Sequence, residues 1–325
     1  MAFKLLMMNP ANLAARGPID DWPARLKRAI PDIEVVICPS VDEAMGPIQG
    51  ADAAFGDIAP ELLARARRLR WIACPQAGPR AGYYYQALID SDVVVTNTRE
   101  IYNDLIGPHI LSFVLAFARG LHLYIPHQLQ QQWRPGYDTV HLPDSTAVIV
   151  GVGGIGGETA RLCAEFGMRV IGIDPRRSEA PPGVAELYSP EALHDHLPEG
   201  DFVIVTVPET PETQGMFGSE QFRLMRPSAF FINIGRGATV LLDDLDAALR
   251  RGEIAGAGLD VFAQEPMSPE DLRRLAELPN VIVTPHTASN RIQTRLAMAY
   301  LSCFALMTWL LGYHPTNVSN PQVYS

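Results

Sequence analysis

The sequence predicts an α/β protein of two doubly wound domains. Three observations carry this: the chain length, the alternation of short apolar runs with helical stretches, and a glycine cluster where one apolar run meets a helix. At 325 residues, the chain exceeds what one compact core usually serves, and two domains are expected. Apolar side chains make up 47% of it, enough for packed cores, so a disordered chain is excluded. The 26 glycines and 27 prolines follow no period, which removes collagen-like and low-complexity readings. A net charge of −10 argues against general affinity for nucleic acid or an anionic membrane. Lys4 and Lys27 are the only lysines, so arginine carries nearly all the positive charge. Function gives no account of that bias.

In the first hundred residues, strands are predicted at 4–8, 34–38, 53–56, 71–74 and 93–96. Helices are predicted at 23–30, with Asp20 or Asp21 near the cap and Pro23 in the first turn, and at 61–69. Fully apolar strands alternating with helices imply a parallel sheet covered on both faces. A long helix follows from about 108 to 132, apolar in its first half and Gln-rich later, and turn formers at 134–146 lead into a new unit. Strands then recur at 147–151, 169–174, 201–208, 229–235, 255–261 and 281–286, the pattern of a doubly wound domain. A last helix is predicted at about 292–311, and the tail beyond it is expected to return to the first domain. Residues 296–313 carry no charge, but the run barely reaches the length of a membrane span and is read as a buried helix.

Cys38, Cys74, Cys163 and Cys303 lie far apart with no C-x-x-C pair. Neither a zinc site nor a disulfide scaffold is indicated, and a reducing, cytoplasmic compartment is expected. The N-terminal apolar stretch is too short for the core of a signal peptide.

The chemistry begins at Gly151-Val152-Gly153-Gly154-Ile155-Gly156, directly after the apolar run 147–150 and before a helical pattern. Gly151 permits a tight turn, Gly153 admits a pyrophosphate close to the backbone, and Gly156 lets helix and strand pack. The N–H groups at the helix start then hold the phosphates. Asp174 ends the next strand, 18 residues after Gly156, where an acid accepts from ribose hydroxyls and repels a 2′-phosphate. The combination predicts a Rossmann domain that binds NAD(H). Arg176 and Arg177 follow Asp174 and leave NADP(H) possible, since guanidiniums accommodate a 2′-phosphate. The plainer reading of all three is a turn acid and two solvated charges.

Open α/β sheets bind ligands outside the carboxyl ends of their strands. Successive strand ends here carry Pro208-Glu209-Thr210-Pro211, Asn233-Ile234-Gly235-Arg236-Gly237, Asp260 with Glu265-Pro266 just beyond, and Thr284-Pro285-His286. Arg236, between glycines, offers a fork for a carboxylate and can polarise a carbonyl. His286 suits proton transfer near neutral pH. Glu265 can hydrogen-bond the imidazole and favour its protonated form, and Asp260 can accept from a nicotinamide carboxamide. Each alone reads as a surface charge or a turn residue. Together, downstream of a nucleotide loop, they read as a site. The remaining histidines have no such company, and for His109, at the start of the long helix, a structural role is preferred.

At these residues the chain resembles the D-isomer-specific 2-hydroxyacid dehydrogenase family over nearly its whole length. VGVGGIG is similar to the family's cofactor loop and TVPETPETQGMF to its adenine-side segment. FINIGRGATVLLDDLDAAL, AGAGLDVFAQEP and TPHTAS resemble the blocks that carry its catalytic Arg, Glu and His. The resemblance implies a flavodoxin-like substrate domain, at 1–106 plus about 296–325, and a Rossmann domain at about 107–295, with the cleft between them. It implies Arg236, Glu265 and His286 as catalytic residues. The cofactor contacts expected are Gly151, Gly153, Gly154, Ile155, Gly156, Asp174, Pro175, Arg176, Val207, Pro208, Thr213, Ile234, Gly235, Asp260 and His286. Substrate contacts are expected from Ala77, Gly78, Arg80 and Arg236, and no metal is expected. It also implies a homodimer built on the cofactor domains.

Two departures from the family pattern bear on the substrate. Pro79 removes a backbone donor from the substrate loop, and Gly107-Pro108-His109 stands where the family usually has Ala-Glu-His. The reaction expected is reversible hydride transfer between NAD(P)H and a small 2-oxo acid, giving the D-2-hydroxy acid. Arg80 and Arg99, where family members usually have small residues, suggest a substrate with a second anionic group. The alternative is an NAD(H)-sensing binding protein of the corepressor type without significant turnover. Formate oxidation is disfavoured because that branch carries Gln at the position of Glu265, and phosphite oxidation because the substrate loop has no Lys.

Overall fold

A computed structural model describes residues 3–8, 24, 33–74, 82–97, 100 and 102–289. The helix expected at 23–30, apart from residue 24, the helix expected at 292–311, the charge-free run 296–313 and Arg99 lie outside the described residues, as do Ala77, Gly78 and Arg80. The described chain falls into two compact units that divide between residues 101 and 102.

The first unit is built on a five-stranded parallel sheet ordered β2-β1-β3-β4-β5. Its strands are β1 (Phe3–Met8), β2 (Ile33–Cys38), β3 (Ala53–Phe55), β4 (Trp71–Ala73) and β5 (Val94–Thr96). This is the flavodoxin-like order. Both faces of the inner strands β1, β3 and β4 are largely buried, which is why they read as near-continuous apolar runs. Leu6, Ala54, Ile72 and Val95 pack with Ile48, Leu62 and Leu88 on one side, and Leu5, Ala53, Phe55 and Trp71 lie on the other. Asp52, 3% exposed, is held by the Lys4 N–H at 3.0 Å and the Arg68 guanidinium at 2.7 Å. Helix α2 (Pro60–Arg65) follows α1 (Val41–Ala44) and stops short of the expected residue 69, because the chain turns extended at Ala66 on its way to the Arg68 contact.

The second unit holds a seven-stranded parallel sheet ordered β12-β11-β10-β9-β6-β7-β8. Its strands are β6 (Thr146–Val150), β7 (Arg169–Ile173), β8 (Glu186–Tyr188), β9 (Phe202–Val205), β10 (Phe230–Asn233), β11 (Gly256–Leu259) and β12 (Val281–Val283). Counted within the unit, this is the Rossmann order with one strand added beyond the sixth, and the order reverses between β6 and β9. The sequence reading missed β8. It is a half-buried edge strand of Glu-Leu-Tyr pairing with β7, too short and polar to show an apolar run.

The long helix differs from expectation. After α3 (Gln86–Ile89) in the first unit, helix α4 spans Asn103–Ala118, so Pro108 lies inside it rather than at its start. The missing N–H of Pro108 is tolerated because tertiary packing holds the helix on both sides of it. Gly107 meets α6 (Gly154–Glu165) so closely that a Cβ there would lie 2.9 Å from Glu158 Cγ and 3.2 Å from Leu162 Cδ1. His109, Phe113 and Phe117, four residues apart, share one face. The Phe113 ring covers Gly258 of β11, and Phe117 stacks on Phe230 with centroids 4.6 Å apart. Gly120, with φ +67°, then turns the chain by 73° into α5 (Leu121–Leu129). The expected single helix is therefore two. Among the described residues, no single helix is long and apolar enough to cross a membrane.

Candidate active site

The carboxyl end of β6 delivers Gly151 with φ +89°, a conformation that favours glycine. Around Gly153 the space a Cβ would need is open, and at Gly156 a Cβ would fall 1.9 Å from the Gly151 carbonyl oxygen. Turn, open approach and close helix contact are thus divided among three glycines. The first turn of α6 has no side-chain cap, so its N–H groups stay available to an anion. An uncrowded backbone beside uncapped donors fits a pyrophosphate, and Gly154 and Ile155 stand in that same turn. Gly154 has a further consequence. A Cβ there would lie 2.8 Å from the Asn103 amide, so the fourth glycine admits Asn103 to the loop. Sequence reasoning missed Asn103, whose only signal is its place at the start of a helix.

Asp174 follows β7 and is engaged with the backbone. Its Oδ2 accepts from the Val152 N–H at 3.0 Å, and its Oδ1 accepts from Arg176 N–H at 2.9 Å and Arg177 N–H at 3.2 Å. Each carboxylate oxygen has two lone pairs, so Oδ1 is filled and Oδ2 has room for one more donor. The acid therefore ties the glycine loop to the Pro175–Arg177 turn. After β9, Thr206 donates to the Gly151 carbonyl at 2.5 Å, and Val207 packs against the missing Cβ positions of both Gly151 and Gly235. Thr213 donates to the Pro208 carbonyl at 2.7 Å and accepts from Thr210 N–H at 2.8 Å, so here it shapes the turn.

At β10, buried Asn233 grips the next segment from both ends. Its amide donates to the Arg236 carbonyl at 3.0 Å, and its oxygen accepts from Gly235 N–H at 3.1 Å. Ile234 is buried. A Cβ on Gly237 would fall 1.8 Å from the Phe262 carbonyl carbon, so the Arg236 and Glu265 loops meet backbone to backbone. Arg236 Nη1 donates to the Gly235 carbonyl at 2.6 Å. Glu265 Oε1 accepts from Phe262 N–H at 2.9 Å, and its Oε2 lies 2.6 Å from His286 Nδ1.

A carboxylate only accepts, so Nδ1 of His286 carries the proton and Nε2 is left for another partner. The ring is 48% exposed. The hydrogen bond to Glu265 raises the His286 pKa, burial opposes that, the Glu265 and Asp260 charges add to it, and Arg236 works against it; the net shift is upward. Burial pushes the Glu265 carboxyl up, but the bonds from His286 and Phe262 N–H, with the His286 and Arg236 charges, outweigh it and hold the carboxyl low. His286 itself has φ +52°. Asp260 is 1% exposed, and its carboxylate accepts from Thr284, Thr287 and Ala288. Among the described residues, no cluster of three His, Cys, Asp or Glu side chains forms a metal site.

A Rossmann sheet with an uncapped glycine loop, and an Arg, a Glu–His pair and a buried Asp on the same strand ends, defines a nucleotide-dependent oxidoreductase. The sequence profile of the D-isomer specific 2-hydroxyacid dehydrogenase NAD binding domain matches residues 111–288. Glyoxylate/hydroxypyruvate reductase B of Pectobacterium carotovorum subsp. carotovorum (strain PC1) is 33% identical over 97% of this chain and 99% of its own. A glyoxylate reductase of Korarchaeum cryptofilum is 37% identical over 71% of this chain and 70% of its own. The crystal structure of a family member from Xanthobacter autotrophicus Py2, in complex with NADPH and MES, is similar at TM-score 0.84 and 28% identity, covering 100% of both chains. An NADPH-dependent glyoxylate/hydroxypyruvate reductase from Sinorhizobium meliloti, in complex with NADP and sulfate, matches at TM-score 0.84 and 25% identity over 99% of this chain and 100% of that one. The chain belongs to the D-isomer specific 2-hydroxyacid dehydrogenase family. It is an NAD(P)-dependent oxidoreductase acting on the CH–OH group of 2-hydroxy acids.

Because the Arg236 and Glu265 loops touch through Gly237, Gly237→Ala is expected to force them apart at a cost of about 1–3 kcal/mol, the usual scale of overpacking. Thermal unfolding checks this, and an unchanged midpoint contradicts it.

Proposed function

We propose that the enzyme reduces small 2-oxo acids of the glyoxylate and hydroxypyruvate class to D-2-hydroxy acids. The observation that carries the reading is the 2.6 Å Glu265–His286 pair, with Nε2 of His286 unengaged among the described residues. Arg236 binds the substrate carboxylate with its guanidinium fork and polarises the adjacent carbonyl. The bound nicotinamide supplies the hydride. His286 gives its Nε2 proton to the oxygen that becomes the hydroxyl, while Glu265 holds the ring and stabilises its charged form. Asp260 Oδ2, with one donor in the structure, keeps capacity for a carboxamide N–H. The substrate class is supported by the relatives, since Arg80 and Arg99 lie outside the described residues.

The proton donor is the charged imidazole, and its pKa is raised. Reduction is therefore expected to stay active to higher pH than an unassisted histidine allows, and to fall as pH rises through the shifted pKa. Oxidation of the hydroxy acid needs the neutral ring and gains over the same interval. His286→Ala should lower kcat by about 10²–10⁴ with cofactor affinity nearly unchanged, the scale of lost general acid catalysis. Stopped assays of glyoxylate and hydroxypyruvate against oxaloacetate, in wild type and variant, check both parts. Activity within threefold of wild type rejects the role, and a clear preference for oxaloacetate rejects the substrate class.

For the cofactor, engagement of Asp174 by three backbone donors weakens its value as a ribose acceptor, while Arg176 and Arg177 are exposed beside it. This supports use of NADPH at least as well as NADH. The double variant Arg176→Ala/Arg177→Ala is expected to lose NADPH affinity and keep NADH affinity. A tenfold wild-type preference for NADH in direct binding contradicts the reading.

A homodimer is part of the same proposal. Leu121, Ile125 and Leu129 recur every four residues along α5 and are 45%, 53% and 79% exposed, and Trp133, just beyond the helix, is 96% exposed. Such a stripe on the cofactor-binding unit suits a second copy of the chain. Ile125→Asp with Leu129→Asp should convert a dimer to a monomer in light scattering, and a monomeric wild type overturns the assembly. Buried cysteines at 38, 74 and 163, none of them in a disulfide, fit a reducing cytoplasm.

A further inference from the structure

Thr284 stands two residues before His286, and the turn between them is tied almost wholly to Asp260. The His286 N–H donates to the Asp260 carbonyl at 2.8 Å, and Thr287 and Ala288 N–H donate to its carboxylate at 2.8 and 3.1 Å. The Thr284 hydroxyl lies 2.5 Å from Asp260 Oδ1. On the far side of that hydroxyl, 3.2 Å away, is Nε2 of His109 from α4. The same ring nitrogen is 3.7 Å from Asp260 Oδ1.

Counting protons orders this chain. The Asp260 carboxylate only accepts, so the Thr284 hydroxyl gives it its single proton. That hydroxyl can then only accept from His109, and Nε2 of His109 must carry a hydrogen. The tautomer of a neutral His109 is thereby settled by its partners. The ring is also fixed from behind. It stands edge-on to Phe113, with centroids 5.1 Å apart at 88°, and Phe113 covers Gly258, two residues before Asp260. Helix α4 and strand β11 therefore hold the His109–Thr284–Asp260 chain from opposite ends.

We infer that His109 is a positioning residue for His286: it holds Thr284, Thr284 orients Asp260, and Asp260 fixes the backbone on which His286 stands. The inference rests on the reading of His286 as the proton donor. His286 has φ +52°, a conformation a residue with a Cβ keeps only when its surroundings impose it. Without the His109 donor, the Thr284 hydroxyl loses its second anchor and can rotate. The turn slackens where the Glu265–His286 bond needs it most exact. The groups around this chain whose charge shapes the His286 titration are Glu265, Arg236 and Asp260.

The test uses the full-length enzyme and five variants: His109→Leu, His109→Gln, Thr284→Val, the double variant His109→Leu/Thr284→Val, and His286→Ala. Glutamine is chosen because its amide N–H reaches about as far as Nε2 of histidine. His109→Leu is expected to lower kcat at least tenfold, with cofactor affinity, read by nucleotide fluorescence, within threefold of wild type. The alkaline limb of kcat/KM should move to lower pH, and His109→Gln should recover most of both losses. Thr284→Val should match His109→Leu, and the double variant should be no worse than either, as expected of links in one chain. The Thr284 arm keeps the test decisive if His109→Leu fails to fold. A His109→Leu enzyme with wild-type kcat and pH profile overturns the inference, as does a His109→Gln enzyme as impaired as His109→Leu. If His286→Ala keeps activity, the underlying reading fails first. If it loses activity while His109→Leu and Thr284→Val do not, only the positioning role fails.

Discussion

The hydrogen bond between Glu265 Oε2 and His286 Nδ1 is the constraint around which the rest of the site is arranged. At 2.6 Å it fixes which ring nitrogen carries the structural proton and leaves the other for a further partner. It also couples two titrations, lifting the imidazole and lowering the carboxyl. Neither residue reaches this geometry alone. Glu265 is steadied by the Phe262 N–H, and His286 is held on a left-handed residue by Asp260. Arg236 then adds a positive charge that limits how far the imidazole pKa climbs.

Parallel sheet architecture makes this convergence possible. Every strand of the second unit points the same way, so residues distant in sequence emerge on one edge. Packing between the emerging segments is backbone on backbone at Gly235 and Gly237. Rigidity of this kind reduces the reorganisation needed when charge develops on the substrate oxygen. The buried carboxylate of Asp260 is stabilised by donors drawn from the very turn it organises, so burial, charge and turn geometry depend on one another.

Much of this was legible in the sequence because the governing rules are local. Doubly buried strands must be apolar throughout, and β6, β7, β9 and β10 read so plainly that their ends were found within a few residues. The glycine loop and the Arg, Glu and His blocks follow strands directly, so finding the strands placed the residues on one edge. What escaped depends on tertiary partners. Strand β8 is half-buried and polar, and only its pairing with β7 makes it a strand. Pro108 reads as a helix start, yet packing through Gly107 carries the helix across it. The helix break at Gly120 is set by a left-handed glycine in an otherwise helical pattern. The bond from Val152 N–H to Asp174, the approach of Asn103 to Gly154 and the contact of His109 with Thr284 join residues too far apart for any local pattern to reveal.

The most direct measurement of the central claim is an NMR titration of the His286 imidazole in the wild type and in Glu265→Gln. The account predicts a wild-type pKa above that of an unperturbed histidine, because the carboxylate bond favours the charged ring. It predicts a downward shift in the variant, where a neutral amide replaces the carboxylate. A wild-type value at or below that of an ordinary histidine, or a titration unmoved by Glu265→Gln, would contradict it.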